Sequence, residues 1–129
     1  MNAYDAAHAL ARALRESAEL KNFQEAQALL KNDPSAREML MDFRKQQLNL
    51  QRQKLAGLEI APEQEDKLEK LSQIIHMNLT IKRFLEAEYR VGVLLQDIQR
   101  IIAEATGSLF DPELLGLPDL DELEEDDDV

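Results

Sequence analysis

The sequence predicts an all-α protein, built as a long antiparallel helical hairpin with additional N-terminal helices, that dimerises into a helical bundle. Strong helix formers dominate the 129 residues, only 5% of the residues are aromatic, and there are four glycines. Apolar residues recur at alternating steps of three and four from Met77 to Ala105, which is the period of one helix face. A short connector between Gly57 and Pro62 separates two long helical stretches, and so short a connector implies antiparallel neighbours.

The part of the chain before the hairpin is predicted to form two helices. The first begins after Asn2, a candidate N-cap, extends to about Leu20 and breaks from the second near Lys21. The hairpin then begins at an Asp-Pro pair. Asp33 can cap the helix while Pro34 occupies its first turn, where a missing N–H costs nothing.

The two hairpin arms are expected at about residues 34–56 and 62–105. Gly57 ends the first arm in the arrangement of a left-handed or Schellman C-cap. Asn78 either starts a separate final helix or marks a bend in a continuous one, and the sequence leaves both possibilities open. The side of the second arm expected to be buried before Asn78 consists of Leu68, Leu71, Ile74 and Ile75.

The charge of the chain is unevenly distributed. Residues 1–106 are expected to form one helical domain, and residues 107–129 an acidic, disordered tail. Of the 26 acids, ten lie in residues 111–129 without any Lys or Arg, which leaves 16 acids facing all 15 basic residues. A body so close to neutral disfavours nucleic-acid binding by bulk electrostatics. The tail either keeps the chain soluble or binds a basic partner through its leucines.

Several classes of function are disfavoured by the composition. The absence of cysteine removes disulfides, Cys-ligated zinc and thiol catalysis. No apolar run approaches the roughly 20 residues of a membrane span, and the N-terminus lacks a signal-peptide pattern, which favours a cytoplasmic protein without a membrane partner. Asp5 and His8 form a solitary Asp-x-x-His pair, too little for a di-iron site. We therefore expect no enzyme, metal site or cofactor.

The final helix predicts self-association. Its apolar stripe is wider than a single hairpin neighbour can cover, and heptad-like stripes of this kind pair with other helices. The expected interface of a homodimer, or of a partner complex, consists of Ile81, Phe84, Glu88, Val91, Leu95, Ile98 and Ile102. Glu88 is the one charged member. It occupies the most solvated point of the interface, pairs with a basic or amide group across it, or belongs to a partner-docking or catalytic site.

A second candidate surface lies on the first hairpin arm. Four basic side chains stand among glutamines there: Arg44, Lys45, Arg52 and Lys54. Their plain interpretation is a solvated hairpin. The functional alternative is a contact surface for RNA or another protein, because amides and guanidinium groups form versatile hydrogen bonds.

Three stretches of the chain resemble a known family. These are "LARALRESAEL", "NFQEAQALLKNDPSAREMLMDFRKQQ" and "LEKLSQIIHMNLTIKRFLEAEYRVGVLLQDIQRII". Together they are similar to the YlbF/YmcA family of small bacterial helical regulators, with YheA-like members. The resemblance implies an all-α dimer. It also implies a place in a multi-protein complex that assists an endoribonuclease in mRNA maturation. Some members of that complex hold iron–sulfur clusters through cysteines, which this chain lacks.

The expected function is therefore that of a non-enzymatic cytoplasmic regulator or adaptor. It would act through helix-mediated protein–protein interaction, in a complex that assists mRNA processing. The alternative is an RNA-binding module that uses the amide-rich region around residues 44–54.

Overall fold

Five α-helices make up the described part of the protein. The computed structural model describes residues 1–107, 109 and 111–116, and the predicted acidic tail, residues 107–129, lies largely outside them. Within the described residues there is no strand, so the all-α prediction is confirmed. The helices are α1 (Ala3–Glu16), α2 (Ala18–Lys31), α3 (Pro34–Leu55), α4 (Pro62–Met77) and α5 (Leu79–Thr106).

The first helix ends earlier than the sequence predicts. Ser17 has extended backbone angles, φ −67° and ψ 148°, and separates α1 from α2. Its Oγ donates to the Leu14 carbonyl oxygen at 2.6 Å and accepts from the Leu20 N–H at 3.3 Å. One serine thus ends α1 and caps α2. The predicted break near Lys21 was wrong because apolar residues continue at the helical spacing past Ser17, through Leu10, Leu14 and Ala18, and so suggested one continuous helix.

The predicted cap before α3 is confirmed, and the structure decides between the two possibilities left open at Asn78. Asp33 Oδ1 accepts from the Ala36 N–H at 3.2 Å, with Pro34 in the first turn of α3. Asn78 Oδ1 accepts from the N–H of Ile81 at 3.0 Å, while its own backbone is extended (ψ 116°). Asn78 therefore starts a separate helix, which settles the choice that the sequence left open.

The end of α3 is a Schellman motif, as predicted. Gly57 has φ +75°, a left-handed conformation that glycine adopts without steric cost. The Leu58 N–H donates to the Gln53 carbonyl oxygen at 3.0 Å, and the Gly57 N–H donates to that of Lys54 at 3.1 Å. These two bonds satisfy carbonyl groups that the end of the helix would otherwise leave without donors.

The chain divides into two compact units, residues Met1–Gly92 and Val93–Val129. In the first unit α1 packs on α2, α2 on α3, and α3 on α4. The α3–α4 pair is antiparallel, because Leu68 lines a groove with Leu50 while Leu71 lines another with Met39. The core of this unit contains Ala26, Leu30, Ala36, Leu40, Ile75, Ile81, Phe84 and Ala87.

Two isoleucines from consecutive helices anchor this core. Ile75 and Ile81 are both fully buried, and burying such a side chain contributes about 1.5–3 kcal/mol. Ile74 was predicted to share the buried side of α4 but is 52% exposed. That prediction was wrong because α4 turns Ile75 into the core, and its neighbour in sequence then points about 100° away.

We expect Ile75→Ala to destabilise the fold by about 2–5 kcal/mol, since it would leave a cavity in a closed core. Ile74→Ala removes the same atoms one position earlier, at a half-exposed site, and should cost about 1 kcal/mol or less. Urea unfolding at one fixed protein concentration measures both values. Equal losses for the two variants would contradict the burial described here.

Two glycine-to-alanine changes should shift stability in opposite directions. No heavy atom lies within 4 Å of a Cβ built at Gly57 or at Gly92. Gly57→Ala should therefore destabilise through backbone strain alone, by about 1 kcal/mol, because φ is positive. Gly92→Ala, inside α5, should stabilise by about 0.5–1 kcal/mol. Thermal melts followed by circular dichroism test both variants. Melting temperatures that shift in the same direction for the two variants would contradict the prediction.

Candidate interaction surfaces

The predicted stripe on α5 begins inside the chain's own core. Ile81 is fully buried and Phe84 nearly so, both against α2, α3 and α4 side chains of the same chain. The Phe84 ring lies 5.4 Å from that of Phe23, centroid to centroid, with 33° between the planes. Val91, one turn after Ala87 of the core, is half-buried. The first turns of the stripe are thus occupied within a single chain.

The second unit exposes the rest of the stripe. Leu95 and Ile102, both in the predicted interface, are exposed, and so are Val93 and Ile101. Ile98 is half-buried. Leu95, Ile98, Ile101 and Ile102 recur at three- and four-residue steps and form an apolar face of that unit. Val93 lies about 160° from Leu95 around the helix and is outside this face.

Glu88 has a basic partner in its own chain. Its Oε1 accepts from Arg44 Nη2 at 2.5 Å, and both side chains remain partly exposed. The Arg44 guanidinium also lies over the Phe84 ring, 5.7 Å from its centroid. An ion pair at this exposure contributes about 0–1 kcal/mol, and the cation–π contact about 0.5–1 kcal/mol. Both residues were candidates from the sequence, but their contact was not predicted because they lie 44 positions apart in the chain.

The four basic residues of the predicted contact surface on α3 lie on two faces. Arg44 and Lys54 line a groove of about 690 Å³ together with Glu88, whereas Lys45 lines a separate groove of about 570 Å³. Arg52 lines neither of the two. Because each residue turns the helix by about 100°, side chains one position apart diverge in this way. The structure brings together Arg44, Lys54 and Glu88, but not the whole predicted basic set.

One surface was missed by sequence analysis. A groove of about 480 Å³ beside the end of α4 is lined by His76, Lys82, Leu85, Glu86, Tyr89 and Arg90. The signal in the sequence was the cluster of Lys82, Arg83 and Arg90 around Tyr89, on a helix whose apolar stripe alone led to a predicted interface.

No group of three or more His, Cys, Asp or Glu side chains among the described residues is placed to hold a metal ion. The Asp5–His8 pair lies on α1, where both side chains are exposed and the Asp5 N–H donates to Asn2 Oδ1 at 2.8 Å. Within the described residues, no helix is both long and apolar enough to cross a bilayer.

Related proteins align along most of the chain. A UPF0342 protein of Symbiobacterium thermophilum is 47% identical over 102 residues, which cover 79% of this chain and 91% of the relative. A UPF0342 protein of Halothermothrix orenii is 40% identical over 102 residues, or 79% of this chain and 86% of that relative.

Two solved structures share the fold. One is described as a protein of unknown function (DUF964) from Bacillus stearothermophilus. It superposes with a TM-score of 0.68 at 22% identity and covers 82% of this chain and 93% of its own. The other, yheA from Bacillus subtilis, superposes with a TM-score of 0.60 at 25% identity, covering 85% of this chain and 100% of its own.

Residues 3–106 match the family model described as "Control of competence regulator ComK, YlbF/YmcA". This match includes all five helices and confirms the resemblance read from the sequence. The chain therefore belongs to the YlbF/YmcA family, whose description links it to a regulatory role in the control of ComK.

Proposed function

We propose that this protein is a non-enzymatic cytoplasmic adaptor that regulates by binding other proteins through helix faces. It acts as a homodimer within a multi-protein complex that assists mRNA processing. The regulatory role in this proposal follows from membership of the YlbF/YmcA family. The adaptor mechanism is inferred from the exposed surfaces of the helices.

The observation that carries the proposal is the exposed apolar face on the Val93–Thr106 part of α5. Apolar area left in water costs about 25 cal/mol per Å². Leu95, Ile101 and Ile102 stand together on this face, and each is exposed. Helix stripes of this spacing are covered by another helix in stable assemblies. A second copy supplies an identical stripe, so two-fold pairing buries both stripes at once.

Direct RNA binding through α3 has weaker support. Arg44, the first of the four basic residues predicted as the contact surface, is paired with Glu88 in the same chain. Lys45 lies on a different face from Arg44 and Lys54. RNA recognition by phosphate contacts needs cations that converge on one backbone. A protein-binding role therefore fits the arrangement better.

Changing Leu95 to Asp should dissociate the dimer while leaving the chain folded. Leu95 is 41% exposed in the single chain, so an aspartate there remains hydrated in the monomer. In the interface it would bury a charge without a partner, and a cost of about 3 kcal/mol raises the dissociation constant by at least about 100-fold. Sedimentation velocity should show a dimer for the unmodified protein and a monomer for the variant, with similar helical circular dichroism.

The matched control for this experiment is Gln96→Asp, which places the same charge on the next, exposed position of α5. This variant should remain dimeric. A compact, fully helical monomer formed by the unmodified protein at high micromolar concentration would overturn the dimer, as would a Leu95→Asp variant that sediments as a dimer.

A further inference from the structure

The outward side of the first turns of α5 combines basic and apolar side chains. Tyr89 is 73% exposed and Leu79 is 62% exposed, and the basic side chains among them are exposed as well. We refer to this surface as the basic face of α5. It consists of Leu79, Lys82, Arg83, Glu86, Tyr89 and Arg90.

Helix geometry places this face opposite the core. At about 100° per residue its six side chains fall within an arc of about 120°. Ile81, Phe84 and Ala87, which enter the core, lie on the other side of the helix. Val91, which continues toward the predicted dimer stripe, lies on that inner side too. The basic face is thus separate from the surface that we propose for self-association.

The basic face opens into the groove beside α4. Leu85 and Tyr89 provide its apolar part, while Lys82 and Arg90 stand at its margins. His76 lies at the α4 side, where its Nδ1 is 2.7 Å from the Ser72 carbonyl oxygen, a contact in which only the nitrogen can donate. That bond holds the imidazole against α4, so the groove has a defined wall.

Charge at this surface is opposite to that of the whole chain. Three cations of this face, Lys82, Arg83 and Arg90, stand with one carboxylate of the same face, Glu86, although the chain carries a net charge of −11. Glu25 of α2 lines a neighbouring groove with Arg83 and Arg90, so the cations still outnumber the carboxylates. None of the three forms an ion pair within the part of the chain that the structure describes. The side chains are therefore available to a carboxylate from another molecule.

We infer that the basic face of α5 is a docking site for an acidic segment of a partner protein that carries leucine or aromatic side chains between its carboxylates. This deepens the adaptor function and rests on it, because it states the chemistry of the partner that the adaptor binds. Carboxylates pair with Lys82 and Arg90 at the margins, and an apolar anchor packs on Leu85 and Tyr89 in the groove.

A polyphosphate partner fits this surface less well. A nucleic-acid backbone offers phosphates for Lys82 and Arg83, but it has no aliphatic side chain to cover Leu79 and Leu85. Glu86, in the middle of the face, repels phosphate, whereas a partner protein can place a donor opposite it. The experiment below must therefore exclude binding of nucleic acid to the basic face.

The experiment measures binding of a fluorescein-labelled peptide made of Leu-Glu-Glu-Asp repeats to the full chain, by fluorescence anisotropy. The unmodified protein should bind it with an affinity that falls as salt is added. The double variant Lys82→Glu/Arg90→Glu should weaken binding at least about tenfold, since two attractions become repulsions. Tyr89→Ser should weaken it about fivefold through loss of the apolar anchor, at unchanged net charge.

The matched control is Lys67→Glu/Lys70→Glu on α4, which changes the net charge by the same amount at exposed positions outside this face. It should retain the affinity within about twofold, because distant exposed charges are screened. A second probe with lysine in place of each acid should not bind, and neither should a labelled oligouridylate.

Three results would overturn the docking site. They are no peptide binding by the unmodified protein, equal losses in the two double variants, and oligouridylate binding that depends on Lys82 and Arg90. Sedimentation of the same samples keeps this test separate from the adaptor proposal, since Lys82→Glu/Arg90→Glu should remain dimeric. A monomeric unmodified protein that still binds the peptide would refute the dimer and leave the docking site standing.

Discussion

The first unit depends on the break at Asn78. Ile75 and Ile81 are both fully buried in the same core, although they lie six positions apart. On an unbroken helix they would point about 120° apart, as Ile81 and Ala87 do on α5, and would lie at opposite edges of one apolar face. The extended backbone of Asn78 lets α5 start in a new direction, and its side chain satisfies the N–H of Ile81 that the break leaves without a helical acceptor. Two consecutive helices thus contribute to one core from either side of a single capping residue.

This reorientation gives α5 two different sides in the first unit. Ile81 and Phe84 point inward, and the Phe84 ring is covered by Phe23 on one part and by the Arg44 guanidinium on another. Arg44 in turn binds Glu88, so the acid in the apolar stripe is accommodated by the chain that carries it. Because the inner side is engaged in this way, the side chains that α5 offers to other molecules in this unit are those of its outward, basic face.

How much of the fold and of the candidate surfaces could be predicted from the sequence depended on how far apart in the chain the interacting residues lie. Asp33 and Gly57 act within a few residues of themselves, and the caps they form were read from the sequence. Ser17 also acts locally, but an apolar stripe that runs past it suggested a continuous helix. The burial of Phe84 and its contact with Arg44 depend on where α2 and α3 lie, which a periodicity cannot supply. A stripe shows which face of a helix is apolar, not whether the same chain already covers it.

The net charge of the chain does not argue against an acidic partner. Its excess of acids is concentrated in residues 111–129, while the remaining 16 acids nearly balance the 15 basic residues. At physiological ionic strength, charges beyond about 8 Å are largely screened, so a docking carboxylate responds mainly to its immediate neighbours. On the basic face these are Lys82, Arg83 and Arg90 against Glu86, with Glu25 of α2 lining a groove beside Arg83 and Arg90. The charges on this surface therefore determine which partner it prefers, and the net charge of the whole chain does not.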